Sequence, residues 1–273
     1  MAKKTVRYLL IAFLWTWAFW IFASFLSASL NRPLVTNATI FALFSPTPDS
    51  GAFAPQLIFA LGVFGPLIGY QLVATKQKGT FIGHLQSKSS LLAFLIPVAI
   101  TVPGFLLSAF LIHSEGSALT FGQVVITVGL YFLSNLLTSG TEEFGWRGFL
   151  YPTLRQTNDT FWNIAWKGGF IWAVWHYPLM IFLYWGLGIA VALPTLIGFT
   201  AGIVAMAYLS NYVYEQTQSI ALLMGMHALN NTLNFTLLLL YPNTPFTFVS
   251  SLASWGLVIY LEKKHPIASC ASA

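Results

Sequence analysis

Thr141-Glu142-Glu143-Phe144-Gly145-Trp146-Arg147 closes an apolar run that begins at Phe121, and it brings three formal charges into six residues. The chain has only seven Asp and Glu, and two of them are adjacent here. An ionised carboxylate at the centre of a membrane helix costs about 3 kcal/mol on insertion scales, so a charge kept there faces protein or water and serves a purpose. On a helix Glu143 and Arg147 are four residues apart and share a face, so they can pair. Glu142 is turned by about 100° from Glu143 and points elsewhere. The plainer reading is a salt bridge at a helix end just outside the bilayer.

Composition places this stretch in a membrane protein. Of the 273 residues 57% are hydrophobic and 7% charged. A soluble domain carries about 25% charged residues, so this chain cannot clothe a surface in contact with water. The expected fold is all-α, a polytopic helical membrane protein of about eight transmembrane helices, forming a single embedded domain over 1–273. Apolar stretches of spanning length, about 20 residues, run over 8–29, 52–74, 90–112, 121–150, 160–184, 189–213, 219–240 and 246–262.

The net charge of +5 does not point to nucleic acid, because Lys and Arg sit in short clusters between apolar runs. With a cytoplasmic N-terminus the inner segments hold Lys3, Lys4, Arg7, Lys76, Lys78, Lys88, Arg155, Lys167, Lys263 and Lys264, and the outer ones hold Arg32 alone. The positive-inside rule then puts both termini in the cytoplasm and the connection 31–50 outside. The connection from Lys76 to Lys88, with Phe81 and Leu85, is expected along the inner surface. The run from Tyr8 to about Leu26 is too long for a signal-peptide core and reads as an uncleaved first span. One cysteine, Cys270, excludes a disulfide framework and a cysteine metal cluster. Cys270-Ala271-Ser272-Ala273 matches a prenylation box only loosely, since Ser272 is not aliphatic.

His84, His113 and His265 fall in connections or at ends, where an imidazole is simply solvated. His176 and His227 fall within spans. Counted from the inner ends at 1.5 Å per residue, Glu142, His176 and His227 each lie about 13 Å deep. Three helices would thus bring their buried ionisable groups to one level in the inner half of the bilayer. Asn231 follows His227 by four residues and shares its face. Asn230 and Asn234 read as plain interhelical hydrogen-bonding residues, and Gly140, Gly145, Gly148, Gly168, Gly169 and Gly225 as close-packing positions.

A carboxylate facing an imidazole can activate water, with Glu as general base and His as partner or proton donor. A second His and an Asn on one face can stabilise an oxyanion. The same four side chains are also admissible ligands for zinc. Either use fits hydrolysis of an amide near the membrane.

Glu142-Glu143-x-x-x-Arg147, Trp172-x-x-x-His176 and His227-x-x-x-Asn231, in this order on separate apolar helices, resemble the motifs of the CAAX-protease and bacteriocin-processing (Abi) family of intramembrane proteases, often labelled metalloproteases. The likeness covers a core of about 120–240. The family usually has Phe where this chain has Trp172, which should still pack under the site. The resemblance implies Glu142 and His176 as the water-activating pair, with Glu143 and Arg147 as supporting residues. It implies His227 and Asn231 as an oxyanion hole or, if zinc is present, as ligands together with Glu142 and His176; no cofactor is certain. It further implies a membrane-associated or lipid-modified peptide substrate: prenylated C-termini in eukaryotes, bacteriocin precursors or unassigned membrane peptides in bacteria. A short chain without an added domain fits a bacterial plasma membrane.

Two other classes compete. A proton-coupled transporter would also bury Glu and His, but transporters often show internal repeats, and none is visible here. A non-catalytic scaffold or immunity protein has no reason to carry Glu, His and His at one level.

Overall fold

The computed structural model describes residues 3–36, 38–44, 50–74, 80–85, 88–111, 119–157, 159–241 and 247–268. Pro46, Pro48, Lys76, Lys78, His113 and the segment Cys270–Ala273 lie outside them. Among the described residues the structure is helical throughout, with no strand. Each of the eight apolar stretches carries helix: α1 (Lys3–Ser29), α2 (Ser50–Gly62) with α3 (Gly65–Val73), α4 (Leu92–Leu111), then α5 (Phe121–Leu137) with α6 (Glu142–Gly145) and α7 (Tyr151–Arg155). α8 (Phe161–Trp175) with α9 (Tyr177–Tyr184), α10 (Ile189–Thr217), α11 (Ile220–Leu240) and α12 (Thr247–Lys264) complete the bundle. Four helices are long and apolar enough to cross a membrane, and six if each bent pair counts as one span.

Two of the expected spans are bent where proline removes a backbone donor. α2 and α3 meet at 41° just before Gly65-Pro66, and α8 and α9 meet at 51° at His176, ahead of Pro178. The stretch expected as one helix over 121–150 is also interrupted. Thr138 leaves helical geometry at φ −106° and ψ −91°, and residues Ser139–Thr141 form a 3₁₀ turn. The hydroxyls here compete for backbone carbonyls: Thr138 Oγ1 donates to Ser134 O at 2.8 Å, and Ser139 Oγ to Asn135 O at 3.1 Å. Beyond α6, Trp146–Leu150 is wound as a π-helix. The outcome is that Glu142 and Glu143 sit at the start of a fresh helix, where the dipole favours negative charge.

Packing brings these broken elements to the centre. α11 lies against α4 and α5, α8 against α10, α12 against α4 and α10, and α1 against α2 and α3, while α3 touches α6. Glycine makes the last approach possible: a Cβ on Gly145 would stand 2.3 Å from the Tyr8 hydroxyl oxygen and 2.7 Å from Pro66 O.

One end of the bundle is tied by its connections. Ile220 N donates to Thr80 O at 3.2 Å and Ala221 N to Phe81 O at 2.9 Å, so residues 80 and 81 satisfy orphan donors at the start of α11. Arg155 Nε donates to Glu215 at 2.9 Å at the same end. Phe81 and Leu85 are exposed. Lys167 lies well inside α8 and reaches back to Asp159 rather than marking the helix start.

Candidate active site

α6 opens with two carboxylates that face different partners. Glu143 is fully buried and accepts from Arg147 Nη1 at 3.1 Å and 3.0 Å on its two oxygens. Arg147, 2% exposed, also donates its Nε–H to Asn211 Oδ1 at 3.2 Å. The pairing predicted from spacing is therefore present, but deep in protein rather than at a loop end. Asn211 escaped the sequence reading, because nothing in Ser210-Asn211-Tyr212 sets it apart from an ordinary interhelical asparagine.

Glu142 is 3% exposed. Trp146 and Trp172 each donate an indole Nε1–H to its Oε2 at 3.0 Å. Trp172 thus does more than pack: its ring also carries the Arg147 guanidinium at 4.5 Å and meets the His227 ring edge-on at 5.3 Å. Trp146 was not singled out in the sequence, although it stands four residues after Glu142, within helical reach.

His176 occupies the break between α8 and α9 rather than the middle of a span. The tight turn sends its backbone N–H to Ala173 O at 3.0 Å. This leaves Trp172 O, the ordinary helical acceptor, to take the imidazole, and Nδ1 lies 2.9 Å from it. A carbonyl only accepts, so Nδ1 carries hydrogen and Nε2 is the free lone pair of the neutral ring. Trp175 and Phe199 flank the imidazole at 4.6 Å and 5.2 Å between ring centres.

His227 is buried on α11 and gives Nδ1 to Glu143 Oε1 at 2.9 Å. The second histidine therefore partners the carboxylate expected to be supporting, not Glu142. Asn231, one turn further on, donates Nδ2–H to Ser139 Oγ at 3.1 Å. Asn234 donates to Asn230 O at 2.8 Å, an arrangement within one helix.

A cavity of about 130 Å³ joins part of this set. Glu142, Ser139, His176 and Asn231 all line it, while His227 stands behind them, outside the lining. No direct bond joins Glu142 to His176 among the described residues. Gln56 and Phe59 of α2, Tyr131 of α5 and Phe235 of α11 form the walls. The connection from α1 to α2 closes one side through Thr36, Thr39, Ile40 and Leu43, and Ile40 N donates to Ser134 Oγ at 2.7 Å. Nothing in the sequence marked this connection as part of the site.

The distances along the helices are unequal. His176 comes fifteen residues after Phe161, about 23 Å along α8. It lies beside Trp20, which is seventeen residues, about 26 Å, from the start of α1. His227 is seven residues, about 11 Å, into α11. The expectation of one level counted His176 from Lys167, and α8 begins six residues earlier.

As a metal centre the set fits poorly. Among the described residues no three His, Cys, Asp or Glu side chains gather closely enough to hold an ion. As a hydrolytic site it offers a carboxylate, an imidazole lone pair and an amide donor around one cavity.

The family model described as Rce1-like, type II CAAX prenyl endopeptidase Rce1-like, matches residues 123–233. Glu142, Glu143, Arg147, Trp172, His176, His227 and Asn231 all fall inside the match. Comparison with curated proteins finds no match. Residues 123–233, which carry the charged and histidine-bearing helices gathered in one bundle, are similar to the Rce1-like type II CAAX prenyl endopeptidases, a family of proteases.

Proposed function

We propose that the chain is an intramembrane endopeptidase that cuts a membrane-associated or lipid-modified peptide with water activated by Glu142 and His176. The observation that carries this reading is a single cavity within the helical bundle whose wall holds Glu142, His176 and Asn231 together. A space of about 130 Å³ admits several waters, since one needs about 10–15 Å³ by the same measure. Water held between the Glu142 carboxylate and His176 Nε2 gives its proton to Glu142 as its oxygen attacks the peptide carbonyl. The C–N bond then breaks, and the proton passes from Glu142 to the departing amine. Hydrolysis is balanced: one water enters, and one carboxyl and one amine leave.

Asn231 supplies a donor to the developing oxyanion from the cavity wall. His227 acts from behind. Its Nδ1–H is spent on Glu143, so it donates through Nε2 only as imidazolium, a charge that Glu143 balances.

Each of the eight helical stretches counts as one crossing in this reading. α11 spans about 32 Å and α12 about 27 Å, enough for a hydrocarbon core of about 30 Å with modest mismatch. Basic residues then put both termini in the cytoplasm, Glu143 and His227 in the inner half and His176 beyond the midplane. The α1–α2 connection, and with it the cavity mouth, faces outward.

The test is to reconstitute the protein with membrane peptides and identify new termini by mass spectrometry. Peptides cut by the wild type and left intact by Glu142→Ala support the reading; equal cutting by both overturns it.

A further inference from the structure

Two indoles converge on one oxygen of Glu142, and this has a consequence for where a proton can go. Trp146 Nε1 and Trp172 Nε1 both stand 3.0 Å from Oε2, one from the following turn of the same helical segment and the other from α8. Indole N–H is a donor and never an acceptor. An oxygen that faces two such donors has no partner for a hydrogen of its own, so a carboxylic-acid proton does not reside on Oε2. Among the described residues no donor reaches Oε1, and the side chain lines the cavity.

We infer that Trp146 and Trp172 are positioning residues that hold Oε2 of Glu142 and make Oε1 the atom that receives the proton from water. The inference rests on Glu142 being the base of the proposed reaction. The same two bonds fix the carboxylate plane, because a group held at one oxygen by donors from two elements loses rotation about its terminal bond. Trp172 is in turn held from its other side by the Arg147 guanidinium over its ring at 4.5 Å. Trp146 is 3% exposed and wedged edge-on against Tyr8 at 6.1 Å and Trp175 at 5.8 Å between ring centres. Neither indole has room to swing away. Phe at position 172, usual in the family resembled, would keep the ring and lose the donor.

The test separates the hydrogen bond from the ring. Trp172→Phe and Trp146→Phe are made singly and together, and at each position the indole is also replaced by its benzothiophene isostere, which keeps the shape and lacks N–H. Substrate is a peptide that the wild type cuts and Glu142→Ala does not. Each loss of one donor is expected to lower kcat about tenfold to a hundredfold, the scale of a hydrogen bond to a charged group, with KM and melting temperature close to wild type. The second readout needs no substrate. Infrared difference spectra between Glu142 and Glu142→Gln, taken in the wild-type and in each variant background, report the Glu142 carboxylate stretch, and that band is expected to shift when an indole donor is removed. Unchanged kcat and an unchanged band in the isostere proteins overturn the inference. Should Glu142→Gln itself keep wild-type activity, the fault lies with Glu142 as base; the infrared shift then still decides whether the indoles hold its oxygen.

Discussion

His227 bonds Glu143 and not Glu142: its Nδ1 stands 2.9 Å from Glu143 Oε1, although the two carboxylates are neighbours in the chain. This divides the site into two layers. Glu143, Arg147, His227 and Asn211 form a buried, mutually satisfied cluster, and Glu142, His176 and Asn231 line the cavity in front of it.

The Glu143–Arg147 pair of the buried layer should behave as structure. Removing one partner of a buried ion pair leaves an uncompensated charge, at a cost of about 3–5 kcal/mol. Arg147→Ala removes the cation from Glu143, leaving it His227 alone, and takes a donor from Asn211; it is expected to lower folded yield and melting temperature sharply. Glu142→Gln should melt like the wild type, because its amide oxygen can accept from both indoles. Thermal denaturation in detergent checks both, and the opposite ranking would exchange the roles of the two glutamates.

Gly145 admits no side chain. A Cβ there would come 2.3 Å from the Tyr8 hydroxyl oxygen and 2.7 Å from Pro66 O, and backbone cannot retreat without parting α6 from α3. Overpacking of this kind costs about 1–3 kcal/mol or more. Gly145→Ala is expected to destabilise by that amount. Gly225→Ala, where the nearest atom would be 3.9 Å away on Phe94, should be neutral, and comparison of their melting temperatures tests the difference.

Much of the fold was legible in the chain, because apolar runs of spanning length and proline positions are local properties. All eight stretches are helical, and the Glu143–Arg147 pair follows from i,i+4 spacing alone. The bond from His227 to Glu143 was not legible, since it joins residues 84 positions apart and either glutamate satisfied the pattern. The indole donors were hidden for a different reason: tryptophan in an apolar helix reads as packing until its N–H is given a direction. The unequal distances of His176 and His227 along their helices could not be foreseen either, because Lys167 looked like a surface marker and instead folds back to Asp159.

Topology gives an independent check. With Cys270→Ser as background, Val35→Cys lies on the exposed part of the α1–α2 connection and Lys264→Cys at the end of α12. A membrane-impermeant maleimide applied to intact cells should label the first and spare the second. Equal labelling would change the parity of the crossings and move the cavity mouth to the other face.

The front layer separates donor catalysis from metal catalysis. Loss of one oxyanion donor typically costs about 10²–10³ in turnover, so Asn231→Ala should retain measurable activity with KM little changed. Exhaustive chelation should leave the wild-type rate as it was. One tightly bound metal ion per chain, by elemental analysis, whose loss and return track activity would contradict this and make Glu142, His176, His227 and Asn231 ligands.

The most direct measurement is the turnover of Glu142→Gln on a peptide that the wild type cuts, with both proteins reconstituted and shown to melt alike. A general base contributes about 10²–10⁴ to rate, so a fall of that size in kcat at unchanged KM is the predicted result. A Glu142→Gln protein that cuts within about tenfold of the wild-type rate would contradict the account, since a neutral amide at that position cannot take a proton from water.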